Sequence, residues 1–253
     1  MKRTKRIITL AMATILLIGA TVAVTVAFLQ STTEVVQNTF TVGKVGITLD
    51  EALVTEYGKP ATGYVDTNDT DQDKDTTEVI ITGEVDSVEK ALRVTENYYK
   101  LLPGHEYVKD PTVHVAAGSE ESYIRMLVTI SDLADVKAVL GTDETTGYFL
   151  PQNFVEGWED EKWITTGIVV EDEEQNIATY EFRYYKTVNT LDGKVLDLEP
   201  LFTSIVVPEN IENANLEKLK EMQVDIVAHA IQADGFVEDD NGTAQENAWA
   251  AFK

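Results

Sequence analysis

The chain has 253 residues, with 44 acidic and 20 basic side chains, and its formal net charge is −24 at pH 7. This charge argues against a nucleic-acid partner, because phosphate binding requires clustered lysine and arginine. The absence of cysteine excludes disulfide scaffolds, thiolate metal sites and a cysteine nucleophile. A hydrophobic content of 43% is too high for a disordered acidic chain, so we expect a globular domain.

The first residues have the composition of an export leader. Four basic residues lie within Met1–Arg6, and residues 7–28 contain no charged residue, proline or amide. A basic start followed by an apolar stretch is typical of a secretory signal, and this stretch is also long enough for a transmembrane helix. We therefore predict a signal peptide over residues 1–27, cleaved between Ala27 and Phe28, with a retained membrane anchor as the alternative.

A strand-like segment rich in threonine, valine and phenylalanine follows the leader over residues 36–50. Its apolar residues fall into two groups of opposite parity: Phe40 and Val42 in the first, and Val45, Ile47 and Leu49 in the second. A slip of one residue moves the apolar side chains of a strand to its other face. We therefore expect a bulge or break at Gly43-Lys44.

Alternation of apolar and polar residues recurs along the rest of the chain. The runs are Val79–Thr82, Val113–Val115, Ile124–Ile130, Ile164–Val170, Tyr180–Tyr184, Leu201–Val207 and Val224–Ala230. Many short strands separated by polar turns predict an all-β fold, specifically a jelly-roll-like antiparallel β-sandwich. No internal repeat or change of composition divides the chain, so residues 28–253 are expected to form a single domain.

Helix is expected only in a few short connections. Ser131-Asp132 is placed to cap a helix that ends at Gly141. Asn215 is placed to cap a second helix before the last long strand. Thr243 and Glu246 have the spacing of a capping box ahead of a short tail helix, whose aromatic residues would be available for docking.

Histidine spacing bears on a metallopeptidase function. The common zinc-protease signature has two histidines one helical turn apart, with a glutamate beside the first as the base. This chain has only His105, His114 and His229, and Lys109 stands where His105-Glu106 would require the second histidine. We expect three surface histidines and no enzyme, although histidines distant in sequence can still meet in space.

Two further patterns suggest ligands of other kinds. The segment Asp66–Asp75 has alternating aspartates that could serve as calcium ligands, Asp69, Asp71, Asp73 and Asp75. It lacks the glycine and the final glutamate of an EF-hand loop, so a solvated loop is the competing interpretation. Trp158 and Trp163 could stack on a sugar or, alternatively, pack in the core.

A family resemblance spans most of the chain. The residues that carry it, in this order, are Ala27-Phe28, Asn38–Gly43, Val45–Leu49, Leu102–Gly104, Lys109–Val113, Gly118–Glu120 and Val227–Ala233. They resemble TasA/camelysin-type proteins, which Gram-positive bacteria export under a SipW-type signal peptidase. The resemblance implies a jelly-roll β-sandwich whose subunits join into biofilm matrix fibres, the N-terminal segment of one subunit completing a sheet of the next. Some members of this family are described as metallopeptidases.

These observations together predict an exported structural subunit that assembles with copies of itself. Residues 28–50 are the candidate donor strand, and the protein is expected to be secreted to the cell surface or the biofilm matrix. Its expected partners are a SipW-type signal peptidase and its own subunits, with membrane contact only through an uncleaved leader. No cofactor is expected, calcium being the one candidate ligand. The alternatives are a secreted camelysin-like metallopeptidase and an acidic calcium- or sugar-binding surface module.

Overall fold

Strand pairing dominates the architecture, and the pairing is antiparallel throughout the residues that the structure describes. The structure is a computed structural model, and it describes residues 31–32, 44–66, 78–158 and 160–252. Of these described residues, 38% lie in strands and 15% in helices. The predicted all-β class with a few short connecting helices is therefore confirmed.

The elements are numbered in chain order. The strands are β1 (Ser31–Thr32), β2 (Ile47–Ala52), β3 (Ala61–Asp66), β4 (Glu78–Glu84), β5 (Arg93–Val94), β6 (Glu106–Val108), β7 (Thr112–Val115), β8 (Ser122–Ile130), β9 (Val155–Glu156), β10 (Trp163–Asp172), β11 (Ile177–Tyr184), β12 (Leu196–Asp197), β13 (Ser204–Val206) and β14 (Val224–Gln232). The helices are α1 (Leu133–Leu140), α2 (Asn213–Leu216) and α3 (Ala244–Ala251). Single 3₁₀ turns occupy Val88–Lys90, Pro151–Asn153 and Glu217–Leu219.

The described strands form four sheets. The largest has five strands in the order β1-β14-β8-β11-β10, and the second has four in the order β12-β7-β2-β5. Strands β6, β13 and β9 form a three-stranded sheet, and β3 and β4 form a two-stranded ribbon. Neighbours in space are mostly distant in sequence, so the fold depends on long-range pairing.

One hydrophobic core lies between the two larger sheets. The five-stranded sheet contributes the alternate residues that the periodicity predicted, Ile124, Met126, Val128, Ile130, Tyr180, Phe182, Tyr184, Ile226, Ala228 and Ala230. The four-stranded sheet contributes Ile47, Val113 and Val115 to the same cluster, and Val45 joins them from just before β2. Burying a large apolar side chain of this kind stabilises the fold by about 1.5–3 kcal/mol.

The predicted break after the leader segment coincides with an unusual backbone conformation. Lys44 has a φ angle of 53°, which lies in the left-handed region that residues with a Cβ rarely adopt. The backbone therefore departs from an extended strand at this residue, and β2 begins three residues later at Ile47.

Helix α1 ends as predicted but begins differently. Its end at Gly141 has a φ angle of 87°, which suits glycine. Asp132 stands before the helix, yet its side chain makes no capping hydrogen bond. Asn176 takes that role instead: its side-chain oxygen accepts from the amide of Ala134 at 2.9 Å, and its carbonyl accepts from the amide of Leu133.

Two predicted boundaries are wrong, whereas the capping box is confirmed. Asn215 lies inside α2 rather than before a helix, since α2 follows Glu212 and passes into a 3₁₀ turn. The run Leu201–Val207 contains only the three-residue strand β13, because the residues before it turn to bury Leu201 and Phe202. Thr243 and Glu246 bond reciprocally at the start of α3.

Candidate functional site

Strand β14 forms a long edge region of the five-stranded sheet. On one side it pairs with β8 along its whole length, Val224–Gln232. On its other side the described residues supply only the two-residue strand β1, in which Ser31 lies opposite Ala230 and Thr32 opposite His229. The N-terminal segment thus meets the sheet at β14.

The register of β1 against β14 determines which residues of a longer N-terminal strand would face the core. Ile226, Ala228 and Ala230 of β14 point into the core, and His229 points to the outer face. Residues directly opposite each other in an antiparallel pair project to the same face of the sheet. A longer strand added in this register would therefore direct every second residue towards the core.

The opposite edge of the same sheet is less suited to pairing. It is formed by β10, whose pairing with β11 shifts register between Thr165 and Val169. Gly167 lies within this irregular stretch with a φ angle of 68°. A bulge twists a strand and discourages further strands from adding to it. Regular strand addition is thus favoured at β14 rather than at β10.

The C-terminal helix packs on the outer face of β14 and β8 through stacked aromatic and cationic side chains. Phe252 stacks on His229 with ring centroids 6.2 Å apart, and the Arg125 guanidinium lies 4.3 Å from the centre of the Phe252 ring. Trp249 stacks on Phe252 at 5.4 Å and lies under Arg183 at 4.9 Å. The predicted docking of the tail helix is confirmed.

His229 is held uncharged in this packing. Its Nδ1 accepts a hydrogen bond from Arg125 Nε at 3.1 Å. Burial and the positive charge of Arg125 lower the pKa of His229 to about 4. The ring is therefore neutral at physiological pH and can act as the acceptor.

Part of the predicted donor strand belongs to the chain's own sheet. Ile47 pairs with Val115 and Leu49 with Val113 in the β2–β7 ladder. Val45 and Ile47 are buried in the common core, with Leu49 packed against it. This corrects the expected boundary of the donor strand, because a segment that is free to pair elsewhere must end before Lys44.

Several predicted site residues lie outside the described residues. They are the cleavage residues Ala27 and Phe28, the strand residues Phe40 and Val42, and the calcium candidates Asp69, Asp71, Asp73 and Asp75. In the described ranges, no helix is long and apolar enough to cross a membrane.

The three histidines occupy different environments, and the expected surface position is wrong for His229, which is buried. His105 is exposed beside the ring of Tyr107, His114 lies between two carboxylates, and His229 contacts Arg125. No group of three or more histidine, aspartate or glutamate side chains within residues 44–66, 78–158 and 160–252 is arranged to hold a metal ion.

The two tryptophans considered for sugar stacking are structural. Trp163 is fully buried, and its indole nitrogen donates to the Glu199 carbonyl at 2.8 Å. Trp158 donates to the Trp163 carbonyl at 3.1 Å and packs edge-on against Phe182. Both rings pack against the interior, as the core interpretation predicted.

A polar network crosses the four-stranded sheet. His114 Nε2 lies 2.8 Å from Asp50 Oδ1, and His114 Nδ1 lies 2.6 Å from Asp197 Oδ1. Arg93 continues the network, with Nε 2.7 Å from Asp50 and Nη1 2.6 Å from Asp110. The His114 imidazole and the Arg93 guanidinium thus connect all four strands of this sheet with one another and with Asp110, which precedes β7.

The charges in this network stabilise one another. The hydrogen bond with Asp50 raises the pKa of His114, opposed by burial and reinforced by Asp197. Burial alone would raise the pKa of Asp50, but hydrogen bonds from His114 and Arg93 outweigh it, and the pKa is lowered. The protonated imidazole, which can donate from both nitrogens, is therefore the favoured partner of the two carboxylates.

A second, more deeply buried cluster adjoins this network. Glu51 Oε2 accepts from Lys109 Nζ at 2.6 Å, and Glu51 Oε1 accepts from Asn97 Nδ2 at 2.9 Å. Glu51 and Lys109 are 5% and 7% exposed. This cluster was not predicted from the sequence. One signal was present, since Glu51 continues the inward parity of Ile47 and Leu49.

Comparisons with known proteins add no relative. A scan against protein-family profiles and searches of curated proteins and of solved structures found no match for this chain. The likeness to TasA/camelysin-type proteins therefore depends on the residues quoted above.

Proposed function

We propose that this protein is an exported structural subunit with a jelly-roll-like β-sandwich fold. Its copies assemble into extracellular matrix fibres by strand donation, the N-terminal segment of one subunit pairing with β14 of the next. The observation that carries the proposal is that β14 accepts Ser31 and Thr32 of its own chain on its outer edge. In the fibre, the same edge receives the N-terminal segment of a neighbouring subunit instead.

The export step controls when assembly begins. Cleavage between Ala27 and Phe28 by a SipW-type signal peptidase frees the start of the donor segment, whereas an uncleaved leader would tether it to the membrane. The mature chain is secreted to the cell surface or the biofilm matrix. Removing the four basic residues of the leader takes the formal charge from −24 to −28.

Strand addition supplies both affinity and register. Main-chain hydrogen bonds provide the affinity, and the pockets that receive alternate side chains provide the specificity. If the register of β1 continues, Val35 falls opposite Ile226 and faces the core. Because the two partners use different surfaces, the contact is heterologous and can propagate into a filament.

The test compares mature chains 28–253 and 44–253. The longer chain is expected to form fibres visible by electron microscopy. The shorter chain is expected to remain a folded monomer by circular dichroism and size-exclusion chromatography, since it keeps β2 but lacks the donor. Fibres from the 44–253 chain would contradict strand donation.

A peptide complement sharpens this test. A synthetic peptide of residues 28–43 should bind the 44–253 chain, whereas the same peptide with Thr32→Pro and Thr33→Pro should not. Alternate residues of an antiparallel strand direct their N–H groups to the partner. Two consecutive prolines therefore remove at least one ladder donor. Equal binding of both peptides in calorimetry would exclude the β14 edge as the acceptor.

A further inference from the structure

Glu51 joins an amine and an amide at one buried carboxylate. Its two oxygens bond to Lys109 Nζ at 2.6 Å and to Asn97 Nδ2 at 2.9 Å. Hydrogen bonds to the two oxygens of one carboxylate hold the nitrogens on the order of 5 Å apart. Rotation of the flexible lysine side chain can close most of the distance to the roughly 3–3.5 Å needed for attack.

The Asn97 amide is oriented as an acyl donor would need to be. Its carbonyl oxygen accepts the main-chain N–H of Val54 at 2.9 Å, and its nitrogen also donates to the Ala52 carbonyl at 2.9 Å. These partners define which side-chain atom is oxygen and which is nitrogen. The Val54 N–H points at the atom on which negative charge would develop if this amide were attacked, so it is placed to stabilise an oxyanion.

The surroundings of the cluster limit access to water. Lys109 and Glu51 are buried, and Lys109 Nζ lies 5.7 Å from the centre of the Tyr99 ring. Burial, together with the charges of Glu51 and Asp110, raises the pKa of Tyr99, so its phenol stays neutral. In such a site a charged pair is costly to desolvate. Transfer of one proton from the ammonium to Glu51 replaces the ions by a neutral amine and a neutral acid.

We propose that Lys109 and Asn97 become joined by an intramolecular isopeptide bond, with Glu51 as the proton carrier. The neutral Lys109 amine attacks the Asn97 carbonyl carbon, forming a C–N bond and a tetrahedral oxyanion facing the Val54 N–H. Glu51 gives its proton to the departing amide nitrogen and receives one from the attacking nitrogen. The original C–N bond breaks and ammonia leaves. Glu51 is then again the neutral acid that it was when the attack began. No oxidant or other reactant is consumed.

The bond would fix a part of the fold that has little regular structure. Residues 95–105 contain no strand or helix, and the bond would tie this connection to the segment between β6 and β7. Because the chain contains no cysteine, a disulfide cannot serve this purpose. A cross-link of this kind restricts the unfolded chain and thereby stabilises the folded one.

The decisive measurement is the intact mass of the purified, folded 28–253 chain. Bond formation lowers the mass by one ammonia, about 17 Da. Trypsin does not cleave at an acylated lysine, so digestion should yield residues 94–100 covalently joined to residues 101–125. An unmodified mass, with separate peptides ending at Lys100 and Lys109, would overturn the proposal.

Variants separate the chemistry from the ion pair. Lys109→Arg and Asn97→Ala each remove one reacting group and should retain the full mass. Glu51→Gln keeps the shape of the side chain but cannot carry a proton, so it should retain the full mass while circular dichroism confirms folding. Lys137→Arg, which alters another lysine–glutamate pair, is the matched control and should still lose ammonia. Loss of ammonia in Glu51→Gln would overturn the role given to Glu51.

Discussion

Two side chains of the polar network, His114 and Asp50, lose their contributions to stability at opposite ends of the pH range. The pKa of His114 is raised, so its contribution to stability is fully present below the ordinary histidine value of 6.5 and is lost as pH rises through the folded-state pKa. The pKa of Asp50 is lowered, so its contribution is present above its ordinary value of 3.8 and is lost as pH falls through the folded-state pKa. The bridge is therefore expected to be strongest between about pH 4 and 6.5.

This expectation can be measured by urea unfolding. At pH 5.5 the His114→Gln variant should unfold with a free energy about 1–2 kcal/mol below that of the wild type. This is the low end for a hydrogen bond to a charged group, because both side chains are partly exposed to solvent. The bond to Asp50 should account for most of this loss, because Asp197 is largely exposed. The difference should shrink towards pH 9. His105→Gln alters an exposed histidine and is the control; a difference independent of pH would contradict the bridge.

At the scale of elements, β2 has a different role from the segment before it. Val45 and Ile47 are 5% and 3% exposed, and β2 lies between β7 and β5 in its sheet. The preceding segment reaches the other large sheet through β1. The boundary of the proposed donor segment therefore falls at Lys44, where the backbone conformation also changes.

Two truncations test this boundary. The 44–253 chain should melt cooperatively in circular dichroism, because its core is complete. The 50–253 chain should not, because it lacks two buried aliphatic residues, and truncating such a residue typically costs about 2–5 kcal/mol. That loss is comparable to the whole stability of a domain, about 5–15 kcal/mol. Cooperative melting of both chains at the same temperature would show that β2 is dispensable.

For the whole molecule, charge would oppose the proposed assembly. Residues 28–253 carry a formal charge of −28, so copies of this chain would repel one another, and salt would screen this repulsion. Acid reduces the repulsion too, since carboxylates lose their charge near pH 4. Protonation of His229 opposes this trend below its pKa of about 4. A charged imidazole beside Arg125 would weaken the packing of α3 on β14.

Fibre growth of the 28–253 chain should therefore accelerate as sodium chloride rises from about 0.01 to 0.15 M, over which the Debye length falls from about 30 to 8 Å. Light scattering measures the rate. Calcium chloride at matched ionic strength should add a further acceleration if the aspartate run binds calcium. The variant with Asp69, Asp71, Asp73 and Asp75 all replaced by asparagine should lose that increment. A rate indifferent to salt would contradict the electrostatic argument.

The pattern of residues along the chain was enough to predict the all-β class, the inward parity of β8, β11 and β14, the end of α1 at Gly141 and the capping box of α3. These features depend on the period of the strand and on bonds between near neighbours in the chain. By contrast, the folded chain was needed to show that Val45 and Ile47 belong to its own core and that Glu51 contacts Lys109 and Asn97. Arg93 lies 43 residues from Asp50, and His114 lies 83 from Asp197. Contacts at such separations depend on strand order and register, which local periodicity does not encode.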